Sequence, residues 1–506
     1  MTKSKIVELD DLAKIISKLK KENKKVVLSH GVFDLLHIGH IRHFEAAKKL
    51  GDVLVATITP DKYVNKGPHR PAFEEKLRCE SIAALNVVDY VAINKWPTAV
   101  ETIKLLKPDI YTKGSDYSDQ QKDITGGIVA EKEAIEEVGG VLKFTNEISF
   151  SSSTLLNRFF SVFSKEADEY LFNFSKKYKS EEIFEWMEKL KNLKILVIGE
   201  AIIDEYQYGD SIGKAGKESM IALKYLSTEK FAGGSLAIAN HISNFCDNVS
   251  LFTLLGEIDP QKDFIEKHLN KKVHRLFHYK KDSPTIIKRR FIEESPFRKL
   301  LEFYVFNEKN LDPEQSKEVQ SHLKKIIQNY DVVIVADFGH GMFDNKMIDI
   351  IANKSKFLGV NTQTNAGNMG YNTISKYPRA DYICIDEPEI RLESRDKVGD
   401  LTHLIRNLSK KLSCNNITIT RGIKGCIVYS NKEFNQTPAF SGKVLDSMGA
   451  GDAFLSITAP LVSIGAPMEI VGFVGNAVGA MAVTIIGNKE AIDKVSLMKY
   501  ISTIMK

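Results

Sequence analysis

Residues Val26 to Asp52 read VVLSHGVFDLLHIGHIRHFEAAKKLGD. Val26-Val27-Leu28 is a short apolar run of the kind that makes a buried parallel strand. It breaks at Ser29-His30-Gly31, and the run Gly31-Val32-Phe33-Asp34 leads into His37-Ile38-Gly39-His40. From there the apolar spacing is helical, through Ile41, Phe44, Ala47 and Lys48, and stops at Gly51. Two imidazoles therefore stand where a strand gives way to a helix, with glycines beside them. Such a junction favours phosphate, because free backbone N–H groups and the positive end of the helix dipole face it. Gly39 lets a phosphate approach the backbone. A lone pair of histidines on an amphipathic helix would carry no such meaning; strand, glycine turn, paired histidines and helix in that order do.

The stretch resembles the HxGH signature of the nucleotidylyltransferase superfamily, and GVFDLLHIGH is similar to its cytidylyltransferase-like branch. The resemblance implies that His37 and His40 stabilise charge building on the α-phosphate of a nucleoside triphosphate. A sugar or alcohol phosphate attacks and pyrophosphate leaves. The Gly31 region, with Phe33, then lies by the nucleotide, and Asp34 by the substrate.

The whole chain has 506 residues, too many for one ordinary core, so two or three domains are expected. A hydrophobic content of 43% with 27% charged residues suits a soluble globular protein. The net charge of +5 comes from interspersed lysines and acids and leaves no nucleic-acid footprint. Cys79, Cys246, Cys384, Cys414 and Cys426 are scattered with no CxxC pair, which reads as buried free thiols in a reducing cytosol. The N-terminus lacks the apolar core of a signal peptide. The most apolar tract, 450 to 486, is interrupted by Asp452, Pro460, Pro467 and Glu469 and reads as buried helices rather than a membrane span. A cytoplasmic protein that engages no membrane is expected.

Residues 1–160 alternate strand and helix patterns, as a parallel sheet with crossover helices does. A second strand, 52–58, ends at Thr59-Pro60-Asp61, the carboxyl edge where open α/β sheets place ligands. The stiff loop Asn65 to Pro71 follows, and its Lys66 and Arg70 suit triphosphate oxygens. A helix (74–84), a strand (90–93), a helix (99–106) and a strand running from Asp109 into a polar turn come next, then a last helix–strand pair ending at Phe144. Ser151-Ser152-Ser153 opens a helix, as an N-cap or as hydroxyls for phosphate or base. KGPHRP, LNVVDYV, LKPDIYTKGSDY and the SSST turn resemble the nucleotidylyltransferase part of the bifunctional ADP-heptose synthases. That resemblance implies that Lys113, Gly114, Asp116 and Tyr117 lie beside the nucleotide or the sugar phosphate, and Ser151 to Ser153 near the nucleotide. Glycerol-phosphate and ethanolamine-phosphate cytidylyltransferases share much of the pattern, so adenine and cytosine both stay open as the base.

Residues 161–190 are charged and aromatic with helical apolar spacing, and read as connecting helices packed between domains. Lys194 to Glu200 is a buried strand that opens a second α/β domain, 191–506, with Asp204 on the loop after it. Gly233-Gly234 precedes a small-residue helix, 236–242. Near the far end, in Asp446-Ser447-Met448-Gly449-Ala450-Gly451-Asp452, a glycine turn opens a helix with a carboxylate in its first turn. N–H groups there suit a transferring phosphoryl group, and Asp452 suits the proton of an attacking hydroxyl.

GEAIIDEY, AGGSLAIAN, SPTIIKRR, VADFGHG, IDEPE, ITRGIKG and DSMGAGD occur in the order of ribokinase-like (PfkB) sugar kinases, which this half resembles. The resemblance implies that Gly449, Ala450 and Gly451 form the anion hole and that Asp452 is the base. Asp204, Gly233, Gly234 and Asn240 then line the sugar site, and Lys288 and Arg290 lie near a sugar phosphate. Thr420, Gly422, Gly425 and Asn476 lie by the nucleotide. Three positions depart from the family. Asp386-Glu387-Pro388-Glu389 replaces Asn-x-x-Glu, so that Asp386 and Glu389 suit direct magnesium binding. Asn361 to Asn365 replaces Asp-Pro-Lys, and His340 stands where heptose kinases have lysine. The order of domains is reversed as well, since in the bifunctional heptose enzymes the kinase comes first.

The expected fold is therefore α/β in two domains, an N-terminal Rossmann-like HxGH nucleotidylyltransferase fold and a C-terminal ribokinase-like fold. The expected protein is a homo-oligomer, a dimer, using ATP and Mg2+ in the kinase half and ATP or CTP in the other. Its substrates are sugars or sugar phosphates and its product an activated nucleotide sugar. Two alternatives stand beside it: a polyol-phosphate or sugar-phosphate cytidylyltransferase joined to a kinase of another substrate, and a sugar sensor in which one fold has lost its chemistry. Intact His37, His40 and Asp452 speak against the sensor.

Overall fold

A computed structural model describes residues 2–64, 70–114, 127–145, 163–442 and 444–506. The chain divides into two compact units, one of residues 1–164 with 498–506 and one of residues 165–497.

In the first unit the apolar run after Lys25 forms the strand Val26–Gly31, and the histidine segment forms the helix Ile38–Lys48. Five parallel strands lie in the order Tyr90–Ile93, Val53–Ile58, Val26–Gly31, Ile110–Gly114, Val141–Thr145. The chain thus winds outward from Val26–Gly31 in one direction, then returns to its other side. The strand order reverses there, so a crevice opens at the carboxyl ends of Val26–Gly31 and Ile110–Gly114. Val26 and Leu28 pack on one face with Leu12, Ile16, Ile103 and Ile135. Val27 packs on the other with Phe44, Ile82 and Val91. Both faces are covered, which is why the strand is apolar without alternation.

The second unit is built on a nine-stranded sheet. Its spatial order is Val273–Lys280, Asn248–Gly256, Lys194–Gly199, Val332–Asp337, Leu358–Thr362, Tyr382–Asp386, Asn416–Thr420, Cys426–Ser430, Glu433–Thr437. The last two join antiparallel and the rest are parallel. A separate four-stranded sheet has the order Arg298–Val305, Ile286–Glu293, Ala201–Lys214, Ile221–Gly234. Asp204 is expected on a loop after the strand. It lies instead inside the strand Ala201–Lys214, because the chain passes at Glu200 from the large sheet directly into the small one. Glu200 pins that crossing: its carboxylate accepts N–H bonds from Phe338 and His340, both 3.0 Å.

The 161–190 stretch contains the helices Lys165–Lys177 and Ser180–Glu188. Both belong to the second unit, where Phe174 stacks on Phe473 with centroids 4.1 Å apart and the Tyr178 hydroxyl donates to Glu469 at 3.1 Å. The apolar tract near the C-terminus forms the buried helices Ala450–Ser463 and Met468–Ala482. All five cysteines are buried and free. Among the described residues no helix is long and apolar enough to cross a membrane.

Candidate active sites

In the first unit His37 caps the helix Ile38–Lys48, with the Gly39 N–H donating to its Nδ1 at 3.1 Å. A neutral imidazole that accepts at Nδ1 carries its proton on Nε2, the nitrogen suited to donate to a phosphate oxygen. Burial lowers the His37 pKa. The His37 and His40 rings stack with centroids 4.0 Å apart, so both converge on one spot at the helix start. Phe33, at a left-handed φ of 46°, sets its ring edge-on to His40 at 5.4 Å.

Lys113 stands at the end of the neighbouring strand, ion-paired with Glu131 at 3.0 Å. Burial, and then the Lys113 charge, push His30 down to about 3 and His43 to about 4. His30 bridges Thr57 (3.0 Å) and Thr59 (3.2 Å), and His43 bonds Thr145 at 2.8 Å. Among the described residues, neutral imidazoles thus stand near the Lys113 ammonium, a set that the spacing of the HxGH motif alone did not reveal.

Two expectations change. Asp34 is buried and accepts from the Ala72 N–H at 2.6 Å and from Arg70 at 3.4 Å. It fixes the 70–73 turn rather than facing a substrate, and Arg70 is turned toward it. Arg78, unforeseen, is fully buried and braces that turn: it donates to the carbonyls of Phe73 (2.9 Å), Thr59 (2.9 Å) and Val32 and pairs with Asp61. A lone arginine on a helix gives no sequence sign of this. Lys66, Asp116, Tyr117 and Ser151 to Ser153 lie outside the described residues.

In the second unit, register builds the site. Lys288 pairs across the ladder with Asp204, Arg290 with Tyr206, and on the other side with Tyr304 and Glu302. Side chains two apart share a face, so these six lie together. Arg290 bonds Asp204 and reaches Glu302 at 2.6 Å. The Lys288 ammonium lies over the rings of Tyr304 (5.3 Å) and Phe338 (5.6 Å). Gly449, at φ 79°, starts the helix Ala450–Ser463; a Cβ there would come within 2.0 Å of Asn488 Oδ1, so only glycine fits. Asp452 is half-buried in the first turn. Burial, reinforced by Asp204 and opposed by Lys288, raises its pKa to about 7. That is the range a general base needs near neutrality.

A base must be ionised to act, so phosphoryl transfer measured as kcat/KM should rise with pH through about 7 and then level. Asp204→Asn removes a charge that raises the Asp452 pKa, so the limb in the residual activity should move to lower pH. An unmoved limb would assign it to another group. Gly233 admits no side chain, since a Cβ would lie 2.1 Å from Asp204 Oδ2. Gly233→Ala should therefore displace Asp204 at a cost of about 1–3 kcal/mol, read as a raised KM for the acceptor with the fold retained.

Gly234 has φ 56° and its Cβ would meet the Glu200 carbonyl at 2.7 Å, so the pair shapes the turn into the helix Ser235–Ser243. Asn240 does not join the cluster: its amide donates to the His268 carbonyl (2.9 Å) and its oxygen accepts from Asn270 (2.8 Å). Asn476 is likewise withdrawn. Its NH2 lies 3.0 Å from both Cys426 Sγ and the Gly472 carbonyl, packing helix on strand. Thr420 ends a strand, and Gly422 (φ 57°) and Gly425 (φ 78°) form the turn after it. His340 is buried with no hydrogen bond to Nε2, edge-on to Phe306 at 4.9 Å. Burial, then Lys288 and Lys280, keep it neutral with a pKa of about 3. Asn365 and Asn368, in the segment after Asn361, donate to the Phe338 carbonyl at 2.8 Å and so frame the same turn.

Asp386 and Glu389 form a reciprocal capping box, each accepting the other's N–H at 2.8 Å. Glu389 also accepts from Thr364 at 3.1 Å, leaving its two oxygens occupied. Burial, and then the neighbouring Asp386, raise Glu389 to about 8. Two close carboxylates without a cation fit a hard divalent ion. Among the described residues no cluster of three or more His, Cys, Asp or Glu is placed to hold a metal.

Each unit is an α/β fold with a turn at the start of a helix beside its candidate residues. Residues 192–494 match the pfkB family of carbohydrate kinases, and residues 28–159 match the cytidylyltransferase-like family. The chain belongs to the pfkB carbohydrate kinase family and carries a cytidylyltransferase-like domain ahead of its kinase domain. The bifunctional protein HldE of Geobacter metallireducens is 36% identical over 166 residues, 32% of this chain and 32% of that protein. HldE of Citrifermentans bemidjiense is 42% identical over 139 residues, 27% of each. The chain thus aligns with about a third of the length of these relatives. In fold, phosphofructokinase-2 from Escherichia coli in complex with potassium superposes with a TM-score of 0.51 at 12% identity, over 62% of this chain and all of its own.

Proposed function

We propose that the protein is a bifunctional enzyme of nucleotide-sugar synthesis. The second unit transfers the γ-phosphoryl of ATP to a hydroxyl of a sugar or sugar phosphate. Asp452 takes the hydroxyl proton, the oxygen attacks the γ-phosphorus, the glycine-turn N–H groups stabilise the charge on the transferring phosphoryl, and ADP leaves. Asp204, held by Arg290, orients the acceptor. Magnesium would supply neutralisation of the triphosphate charge, with Asp386 and Glu389 as its holders. The first unit joins a sugar 1-phosphate oxygen to the α-phosphorus of a nucleoside triphosphate, ATP or CTP, releasing pyrophosphate. His37 and His40 stabilise the charge on the α-phosphate. The product is an activated sugar of the ADP-heptose kind for cell-surface glycan (lipopolysaccharide or capsule), made in the cytoplasm. An anomeric phosphatase on another chain acts between the steps.

The observation that carries this reading is that one chain presents a stacked histidine pair at the switch point of one sheet and a carboxylate raised to about 7 beside a glycine turn in the other. Boundaries near 160 and 190 set the two activities apart. A second copy is the partner proposed for the small sheet, whose hairpin exposes Ile212, Met220, Ile221 and Tyr225; sedimentation of the full chain reads this as a dimer mass. The cytidylyltransferase reading of the first unit keeps its place because residues 28–159 match that family. The test is a screen of the full chain against sugars, sugar phosphates and all four triphosphates, with ADP and pyrophosphate assayed separately. Pyrophosphate release with CTP alone selects the second reading. Neither product with any combination refutes both.

A further inference from the structure

Lys299 is absent from every motif that marks the kinase half, yet it reaches the centre of the site through an irregularity in the small sheet. Between Phe291 and Ile292 the ladder advances one residue, while the partner strand advances two, from Leu301 to Lys299. Such a bulge re-aims side chains. Without it, Lys299 would face away from Glu302 and Tyr304. With it, Lys299 joins the face that carries Asp204, Lys288 and Arg290.

There its ammonium meets Asp446 Oδ1 at 2.5 Å, and Asp446 is a side chain with no exposure at all. The Tyr206 hydroxyl donates to Oδ2 at 2.7 Å. The same two oxygens accept the N–H of Met448 (3.0 Å) and of Gly487 (2.9 Å). Met448 is the residue before Gly449, where the anion-binding turn begins. One carboxylate thus ties the small sheet to the turn and to the loop beside it. Burial alone would raise its pKa; Lys299, Tyr206 and the two N–H groups hold it below the usual carboxylate range. Among the described residues Lys299 is the cation in ion-pair contact with it.

We infer that Lys299 is a positioning residue, a built-in counter-cation that keeps Asp446 ionised and the Met448–Gly451 turn in its phosphate-binding form. The inference rests on the kinase reading of this unit. A buried carboxylate next to a triphosphate site repels the ligand unless its charge is met. Here the chain supplies the charge itself, so a free monovalent cation is not required for it.

The test compares the full chain with Lys299→Met and Lys299→Arg in potassium, ammonium, sodium and tetramethylammonium salts at one ionic strength. ATP affinity by calorimetry reads the turn without any sugar, and turnover reads it with one. Lys299→Met should lose about 10- to 100-fold in turnover, the scale of a misplaced reacting group, with the acceptor KM little changed. ATP affinity should fall as well. Potassium or ammonium should restore much of both losses. Wild type and Lys299→Arg should be indifferent to the cation. ATP affinity in Lys299→Met equal to wild type, a loss that no cation repairs, or a wild type that itself needs potassium would each overturn the inference. If wild type binds ATP but phosphorylates no sugar, the acceptor reading fails and the affinity comparison still judges Lys299.

Discussion

Asp452→Asn is expected to lower sugar phosphorylation by about 10²–10⁴-fold, the usual contribution of a general base, while ATP binds nearly as before. The amide fills the same volume in the first turn of the helix, but it takes no proton. The Gly449 turn, locked by its left-handed φ against Asn488, is untouched. The fold should not suffer. The folded Asp452 pKa of about 7 lies above its ordinary 3.8, so the native state binds more protons than the unfolded chain between those values. Wild-type stability therefore drops as pH rises through that window, and the neutral amide escapes the loss. At pH 8 the variant should melt at or above the wild-type temperature. Turnover near wild type would withdraw Asp452 as the base and leave it a carboxylate of the helix's first turn.

His40→Ala is expected to cost about 10²–10³-fold in nucleotidyl transfer, the range seen when one preorganised donor is removed from a developing charge, and to leave phosphorylation unchanged. His40 stacks on His37 at 4.0 Å, and His37 is fixed by the Gly39 N–H, so truncating the His40 ring leaves the cap and the helix in place. Pyrophosphate release reads one activity and ADP release the other on the same sample. Equal loss of both in a folded variant would contradict two separate sites.

Much of this was legible in the residues because it is local. The periods of apolar residues, the glycine stops and the polar turns are set within a few positions of one another. From them alone came the Val26–Gly31 strand with its histidine helix, the strand from Lys194, the buried C-terminal helices and the glycine turn before Asp452. The same local reading could not separate a polar side chain that faces a ligand from one that holds the fold. Asp34, Asn240 and Asn476 all carry the right chemistry, and each turns out to bind neighbouring backbone or packing groups.

That two α/β units follow one another, and which turns lie at their strand ends, is written locally in the residues, since hydrophobic period and turn residues report short-range geometry. Tertiary structure alone decided what meets in the kinase site. Asp204 became part of a strand because Glu200 sends the chain straight into a second sheet. Lys288, Arg290 and Asp204 converge through ladder register, and Lys299 arrives through a bulge. Tyr206 and Asp446, 240 residues apart, meet over a buried carboxylate. Which face a strand residue takes is set by its pairing partner, and a shift of one position reverses it; that information lies in the partner strand, far along the chain, and not around the residue itself.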